Sequence, residues 1–331
     1  MKLINNENIT DPTINLALDE YCVRNLDVEN ENYILFYINA PSIIIGKHQC
    51  TIEEINYPYT NRNNIYVVRR ISGGGAVYHD FGNLNFSFIK KYELHSINNF
   101  QKFTEPVIKT LHSLGVNAVL GGRNDITVDG RKISGNAQFS NTKSMFSHGT
   151  LLFDSNLDDV VEALNVKIDK IESKGIKSIR SRVANITEFL KENISIEEFR
   201  NELLKNIFGS DKNFPVYNLT SKQWHEVRDL AEKKYRTWEW NFGRSPEFNI
   251  QKVHRFDFGQ IDARFHVKDG IIQDMKIFGD FLGHGEMKEI EDKLIGKKYM
   301  EDEIEKAVEG INLKEYIGIE NSKEFAKFLY T

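Results

Sequence analysis

Three consecutive glycines, Gly73, Gly74 and Gly75, lie between two runs that read as β-strands, and no other feature limits the fold as much. "NNIYVVRRIS" (63–72) is rich in β-branched and aromatic residues and leads straight into them. "NLNFSFIKK" (83–91) alternates polar and apolar residues, so the chain re-enters a sheet. Glycine amides can approach a ligand closely and adopt positive φ, and successive N–H groups in such a turn form an anion-binding concavity. A Walker A loop is excluded, because it needs Gly-Lys-Ser/Thr and then a helix, whereas "AVYHD" follows here. A dinucleotide fingerprint must also open a helix, and the downstream pattern is strand. A hairpin turn or barrel corner uses glycines too, and the triplet alone leaves both readings open.

The neighbours add charge. Arg69 and Arg70 carry cationic forks suited to phosphate or carboxylate, but strand alternation turns at least one of them away from the loop. His79 and Asp80 fit a metal or acid–base pair, though a His-Asp doublet outside a helix is more often a hydrogen-bonded turn. A second glycine-rich element, "GGRNDITVDGRKISGNAQ", folds as a hairpin about Asp129-Gly130. Its return strand carries Lys132, flanked by small residues up to Gly135. A lysine there is either solvated or held between two anions, where one cation neutralises both. Asn124 and Asp125 offer oxygens to a magnesium ion.

With 331 residues the chain can form one large domain and a small one. The net charge of −5 gives no global basic field for nucleic acid. Its longest aliphatic run, Ile43 to Ile45, is too short to cross a bilayer, and "MKLINNENITD" has no apolar stretch of signal-peptide length. Two cysteines, Cys22 and Cys50, lack metal or redox spacing and suit a reducing compartment. A cytoplasmic protein without membrane or nucleic-acid partners is expected. Strands are expected at 32–39, 42–49 and 147–155, and helices at 100–115, 157–164, 195–208 and 220–235, with Ser195 as an N-cap. "YRTWEWNF" (235–242) reads as a ligand box or an aromatic core plug. From about 250 the chain reads as strands with a turn at Asp269-Gly270, then two short amphipathic helices. We expect a boundary at 245–252, giving residues 1–246 and 250–331. The first part lacks regular βαβ alternation, so the class is α+β.

Together "RRISGGGAVYHDFGNLNFS", "GGRNDITVDGRKISGNA", "SHGTLL", "KGIKSIRSRVANITE" and "WEWNFGRSP" make this chain resemble bacterial lipoate–protein ligase A over essentially its whole length. The resemblance implies a mixed-sheet catalytic domain of the biotin- and lipoate-ligase type, with a small α+β C-terminal domain. It implies ATP and Mg²⁺ as cofactors, lipoate as substrate, and lipoyl-acceptor carriers as partners: E2 lipoyl domains and the glycine cleavage H protein. Arg70, Ser72, Gly73, Gly74 and the stretch Gly75-Ala76-Val77-Tyr78 then contact nucleotide, with Asn124 and Lys132. Gly175, Ser178, Arg180 and Arg182 belong to a basic loop, 173–183, that folds over the adenylate. Gly46, Gln49, Arg70, Gly75, His79, Lys132, Gly135, His148 and Gly149 are the implied lipoate contacts. Lys132 is the implied catalytic residue, an electrostatic bridge between lipoate and nucleotide, and Asp125 the implied magnesium contact.

Two other functions stay in view. An octanoyl or lipoyl transferase of the same fold needs a cysteine nucleophile, and neither Cys22 nor Cys50 falls in these motifs. A non-catalytic binder of lipoate or nucleotide would have little use for Lys132. The C-terminal part carries none of the motifs and is expected to change orientation during the cycle.

Overall fold

The computed structural model describes residues 1–93, 96–164, 182–209, 214–243, 249–268 and 270–330. An eight-stranded mixed sheet runs in the order Val216–Tyr217, Lys2–Ile4, Tyr33–Ile38, Asn83–Lys91, Ser144–Leu152, Arg131–Ser140, Asp125–Val128, Val119–Gly121. Both of its faces are covered. Tyr33, Leu35 and Tyr37 enter one core and Ile34 and Phe36 the other, which is why that run is apolar throughout instead of alternating. Helices Pro12–Asn25 and Ser221–Leu230 close the first face, and Phe100–Ser113 and Ile196–Phe208 the second.

Local chemistry sets the element ends. Ser195 and Glu198 form a reciprocal capping box, and Gly209 ends that helix at φ 68°. Asp129 (φ 51°) and Gly130 (φ 76°) turn the expected hairpin, both left-handed as a two-residue turn matched to strand twist requires. The helix Pro12–Asn25 is absent from the sequence-based reading. Every residue from Pro12 to Val23 is buried, so it shows no polar stripe, although Asp11 capping Thr13 N ahead of Pro12 marks its start.

A second, three-stranded sheet holds Tyr66–Arg69, Ser42–Ile45 and Val77–His79 in that order. The glycine triplet therefore joins the two outer strands of this small sheet, and the chain reaches the large one only at Asn83. The strand expected over 42–49 stops at Ile45, because Gly46 N–H donates to Gln49 Oε1 at 2.9 Å and turns the chain.

The C-terminal part has its own antiparallel sheet, Ile250–Phe256, Gly259–Lys268 and Ile271–Gly279. It packs on helices Met287–Leu294, Glu301–Ala307, Leu313–Ile317 and Ser322–Tyr330 around a core that includes Phe265, Met275, Ile290 and Phe325. The last two helices were not foreseen. Asp269 lies outside the described residues; Gly270 has φ 73°.

Candidate active site

The arginine pair divides as strand alternation requires. Arg69 is almost fully buried and points away from the glycines. Its Nη1 donates to the carbonyls of Gly46, Lys47 and Gln49, its Nη2 to Thr51 Oγ1 and Asn241 O, and its Nε to Trp240 O. Arg70 turns inward, where Nη2 donates to Gly73 O at 2.6 Å and Gly75 O at 2.9 Å, Nη1 to Ile44 O, and Nε to Ser72 Oγ. Burial pushes its guanidinium down to about 10, so it stays cationic at neutral pH. Arg70 thus shapes the loop from inside.

Opposite that loop the large sheet presents polar residues at alternate positions. Register pairs His148 with Ser87 on one side and Ala137 on the other, so their side chains share a face, the face that also meets helix Pro12–Asn25. Asp19 of that helix accepts from Ser87 Oγ at 2.6 Å and lies 3.0 Å from His148 Nδ1. A carboxylate only accepts, so Nδ1 carries a hydrogen, while Nε2 lies 2.7 Å from Ser72 Oγ, within hydrogen-bond reach. Asp19, His148, Ser72 and Arg70 are one buried chain. Asp19 was missed in the sequence, where an acidic residue in an unrecognised helix gives no signal.

Between these walls lies a cleft that is partly open to solvent. The glycine-loop residues Arg70, Gly74, Gly75, Ala76, Val77 and His79 line it. So do Asn124, Lys132, Gly135, His148 and Gly149 from the large sheet. Leu16, Tyr37, Ile44, Asn85, Asn136, Ala137 and Thr150 complete it, and none of these was picked out beforehand. The apolar members give it the oily wall that an acyl chain needs.

Five implied residues have other surroundings, Gln49 among them, since it does not line the cleft and its Oε1 accepts from Gly46 N–H at 2.9 Å. Ser72 lies behind the wall on His148. Gly73 sits beneath the C-terminal part, where an added Cβ would fall 2.4 Å from Phe281 O. Tyr78 directs its hydroxyl to Asp159 Oδ2 at 3.2 Å, and burial raises its pKa well above the ordinary tyrosine value. Gly46 packs against the loop, since a Cβ there would meet Gly74 O at 1.8 Å. Gly175, Ser178 and Arg180, with most of 173–183, lie outside the described residues. Trp240 donates Nε1 to Arg69 O at 2.7 Å and does not line the cleft, which agrees with the plug reading of 235–242.

Lys132 stands at the cleft with Nζ 2.8 Å from Asp125 Oδ1, both about one-third exposed. Its tip lies over Gly135, where a Cβ would approach Nζ to 2.9 Å, so the glycine makes room for the ammonium. Its backbone is fixed on both sides, with Lys132 N–H donating to Arg182 O at 2.7 Å and Ala184 N–H to Lys132 O at 2.9 Å. Among the described residues no group of three His, Cys, Asp or Glu converges as a metal site. A magnesium ion here would be held chiefly by phosphate oxygens and water, as is usual. Asp125 offers it one carboxylate, the one that also balances Lys132. Cys22 is buried and its thiol is raised well above the ordinary value by burial and by Asp19, which opposes its use as a nucleophile.

Residues 11–208 match the lipoyl protein ligase A/B catalytic domain and residues 245–329 the bacterial lipoate protein ligase C-terminus. Over 332 aligned residues the chain is 58% identical to lipoate-protein ligase LplJ of Bacillus subtilis, with 100% of each chain covered. This chain is a member of the lipoate–protein ligase family. A bipartite lipoate protein ligase of Thermoplasma acidophilum, studied with its E2 lipoyl domain, superposes with TM-score 0.66 at 33% identity over 75% of this chain and 98% of that one. A lipoate-protein ligase A bound with ATP superposes with TM-score 0.63 at 31% identity over 73% and 98%. The ligase family accounts for the mixed sheet and the small C-terminal part in one step. No helix among the described residues is long and apolar enough to cross a membrane.

Proposed function

We propose that this protein is an ATP-dependent lipoate–protein ligase, which joins lipoate to a lysine of a carrier domain through lipoyl-AMP. The observation that carries the reading is Lys132, a cation at a cleft lined by the glycine loop and by the apolar side chains of Leu16, Tyr37 and Ile44. A free carboxylate resists attack by an amine, because oxide is a poor leaving group. In the first step a carboxylate oxygen of lipoate forms a bond to the α-phosphorus of ATP, and the bond to the bridging oxygen breaks with release of pyrophosphate. Two anions must meet, and Lys132 supplies preorganised positive charge between them. Asn124 and the loop residues Gly74 to Val77 line the nucleotide side. Gly135, His148 and Gly149 line the acyl side, with His79. Magnesium, when bound with ATP, neutralises phosphate charge, and Asp125 would hold it.

In the second step the unprotonated amine of the acceptor lysine attacks the acyl carbonyl, the bond to phosphate breaks, and AMP leaves. Residues 173–183 shield the adenylate from water in this reading. The acceptors are carrier domains of the E2 lipoyl type, by the similarity to the Thermoplasma ligase, and the glycine cleavage H protein by the family's pattern. We place the protein in the cytoplasm, acting in lipoate salvage. Residues 1–246 form the catalytic unit and 250–331 an accessory one. The test combines purified protein, lipoate, ATP, Mg²⁺ and an apo carrier domain, reading pyrophosphate release and the mass of the carrier. Transfer of lipoate without ATP would favour a transferase, and binding without pyrophosphate release a sensor.

A further inference from the structure

Two side-chain amides and one carbonyl decide which nitrogen of His79 carries the proton. Asn15 donates Nδ2 to the carbonyl of Ile9 at 2.8 Å, and a carbonyl can only accept. The orientation of the Asn15 amide is thereby set. The same Nδ2 donates to Asn39 Oδ1 at 2.9 Å, so Asn39 turns its own Nδ2 to His79 Nδ1, 3.0 Å away. An amide nitrogen can only donate. His79 Nδ1 is therefore bare, and the hydrogen of the neutral ring sits on Nε2. All three side chains are buried, and His79 Nε2 is a buried atom with no hydrogen-bond partner among the described residues. Yet His79 lines the cleft. Burial, followed by the charge of Arg70, keeps the imidazole neutral, pushed down to about 3. His148, beside it, is set the other way by Asp19.

We propose that Asn39, backed by Asn15, is a positioning residue that fixes His79 as an Nε2–H donor to a carboxyl oxygen of the acyl substrate. The proposal rests on the lipoate-ligase reading. An unmatched buried donor is costly, and a strong acceptor on the substrate that fills the cleft would satisfy it. Carboxyl oxygen is such an acceptor, and the sulfurs of the dithiolane ring are weak ones.

The experiment uses the full chain labelled with ¹⁵N-histidine, with His79 assigned by its loss in His79→Phe. Long-range ¹H–¹⁵N spectra of the wild type should show the Nε2–H tautomer at His79 from mildly acidic to neutral pH. An Nδ1–H spectrum overturns the proton assignment whatever the protein binds. Asn39→Asp keeps an acceptor for Asn15 but presents a carboxylate to Nδ1, which should draw the proton there, while the other histidine resonances report that the fold is kept. Calorimetry with lipoate and with octanoate, which lacks the sulfurs, should then show both dissociation constants raised about tenfold or more. His79→Phe should weaken both acids comparably and serves as the test if Asn39→Asp fails to fold. Unchanged binding of both acids overturns the proposal, and weakening of lipoate alone overturns the choice of oxygen. A wild type that binds neither acid sinks the ligase reading and the ligand named here, a result distinct from a wrong tautomer.

Discussion

The amide of Gly74 donates to the carbonyl of Phe281 at 3.3 Å, so one N–H of the glycine loop is taken by the C-terminal part. Lys47–Glu286 at 2.8 Å and the stacking of His48 on Phe281 join the same two surfaces. Gly74 has φ 93°, and a Cβ there would lie 3.0 Å from Arg70 Nη2. Gly74→Val should weaken ATP and lipoate binding at least about tenfold, beyond the ~1–3 kcal/mol of backbone strain it adds. Calorimetry with each ligand beside thermal unfolding separates the two; unchanged binding would make the triplet a turn and nothing more.

Lys132→Ala should abolish adenylation, at a cost of about 3 kcal/mol or more in transition-state stabilisation. Stability should hardly change, because a partly exposed ion pair such as Lys132–Asp125 contributes about 0–1 kcal/mol. Pyrophosphate release from lipoate and ATP is the measurement, and near-normal release would remove Lys132 from the mechanism.

Arg69→Ala should act on stability instead. It leaves the carbonyls of Gly46, Lys47, Gln49 and Trp240 without this buried donor, a loss on the order of 3–5 kcal/mol. Urea unfolding should show a lower midpoint with an unchanged slope. A variant as stable as the wild type would contradict the role given to Arg69.

His79 should make stability fall on acidification. Its pKa is depressed in the folded state to about 3 from 6.5, so between those values the unfolded chain binds more protons. The contribution is present above the unfolded pKa and is lost as pH falls toward the folded one, with a slope approaching ~1.4 kcal/mol per pH unit. His79→Phe should unfold with a shallower pH dependence between pH 4 and 6. Equal slopes for the two proteins would show that His79 is not held neutral.

Truncation after residue 246 should leave some lipoate binding and impair the complete reaction. Supplying lipoyl-AMP separates the two steps. A folded truncated protein that binds no ligand and performs neither step would place the C-terminal part in the active site and end the proposed division.

What could be read beforehand follows from where the information resides. The hairpin at Asp129-Gly130 is local chemistry and was legible, as were Ser195 and the strand Tyr33–Ile38. Helix Pro12–Asn25 was not, because a segment buried on all sides carries no periodic contrast. The sequence placed Arg70, Lys132 and His148 among the site residues through the family resemblance. It could not show that Arg70 holds backbone carbonyls, or that Asp19 reaches His148 from 129 residues away. Such partners are set by tertiary register, which no short window of sequence contains.

Arg69 ends on five main-chain carbonyls, those of Gly46, Lys47, Gln49, Trp240 and Asn241. Every amino acid brings a carbonyl, so substitutions at positions 47, 49 or 240 leave these acceptors in place. One side chain therefore ties residues 46–49 and 240–241 to the end of strand Tyr66–Arg69 through atoms that a substitution at position 47 or 240 does not remove.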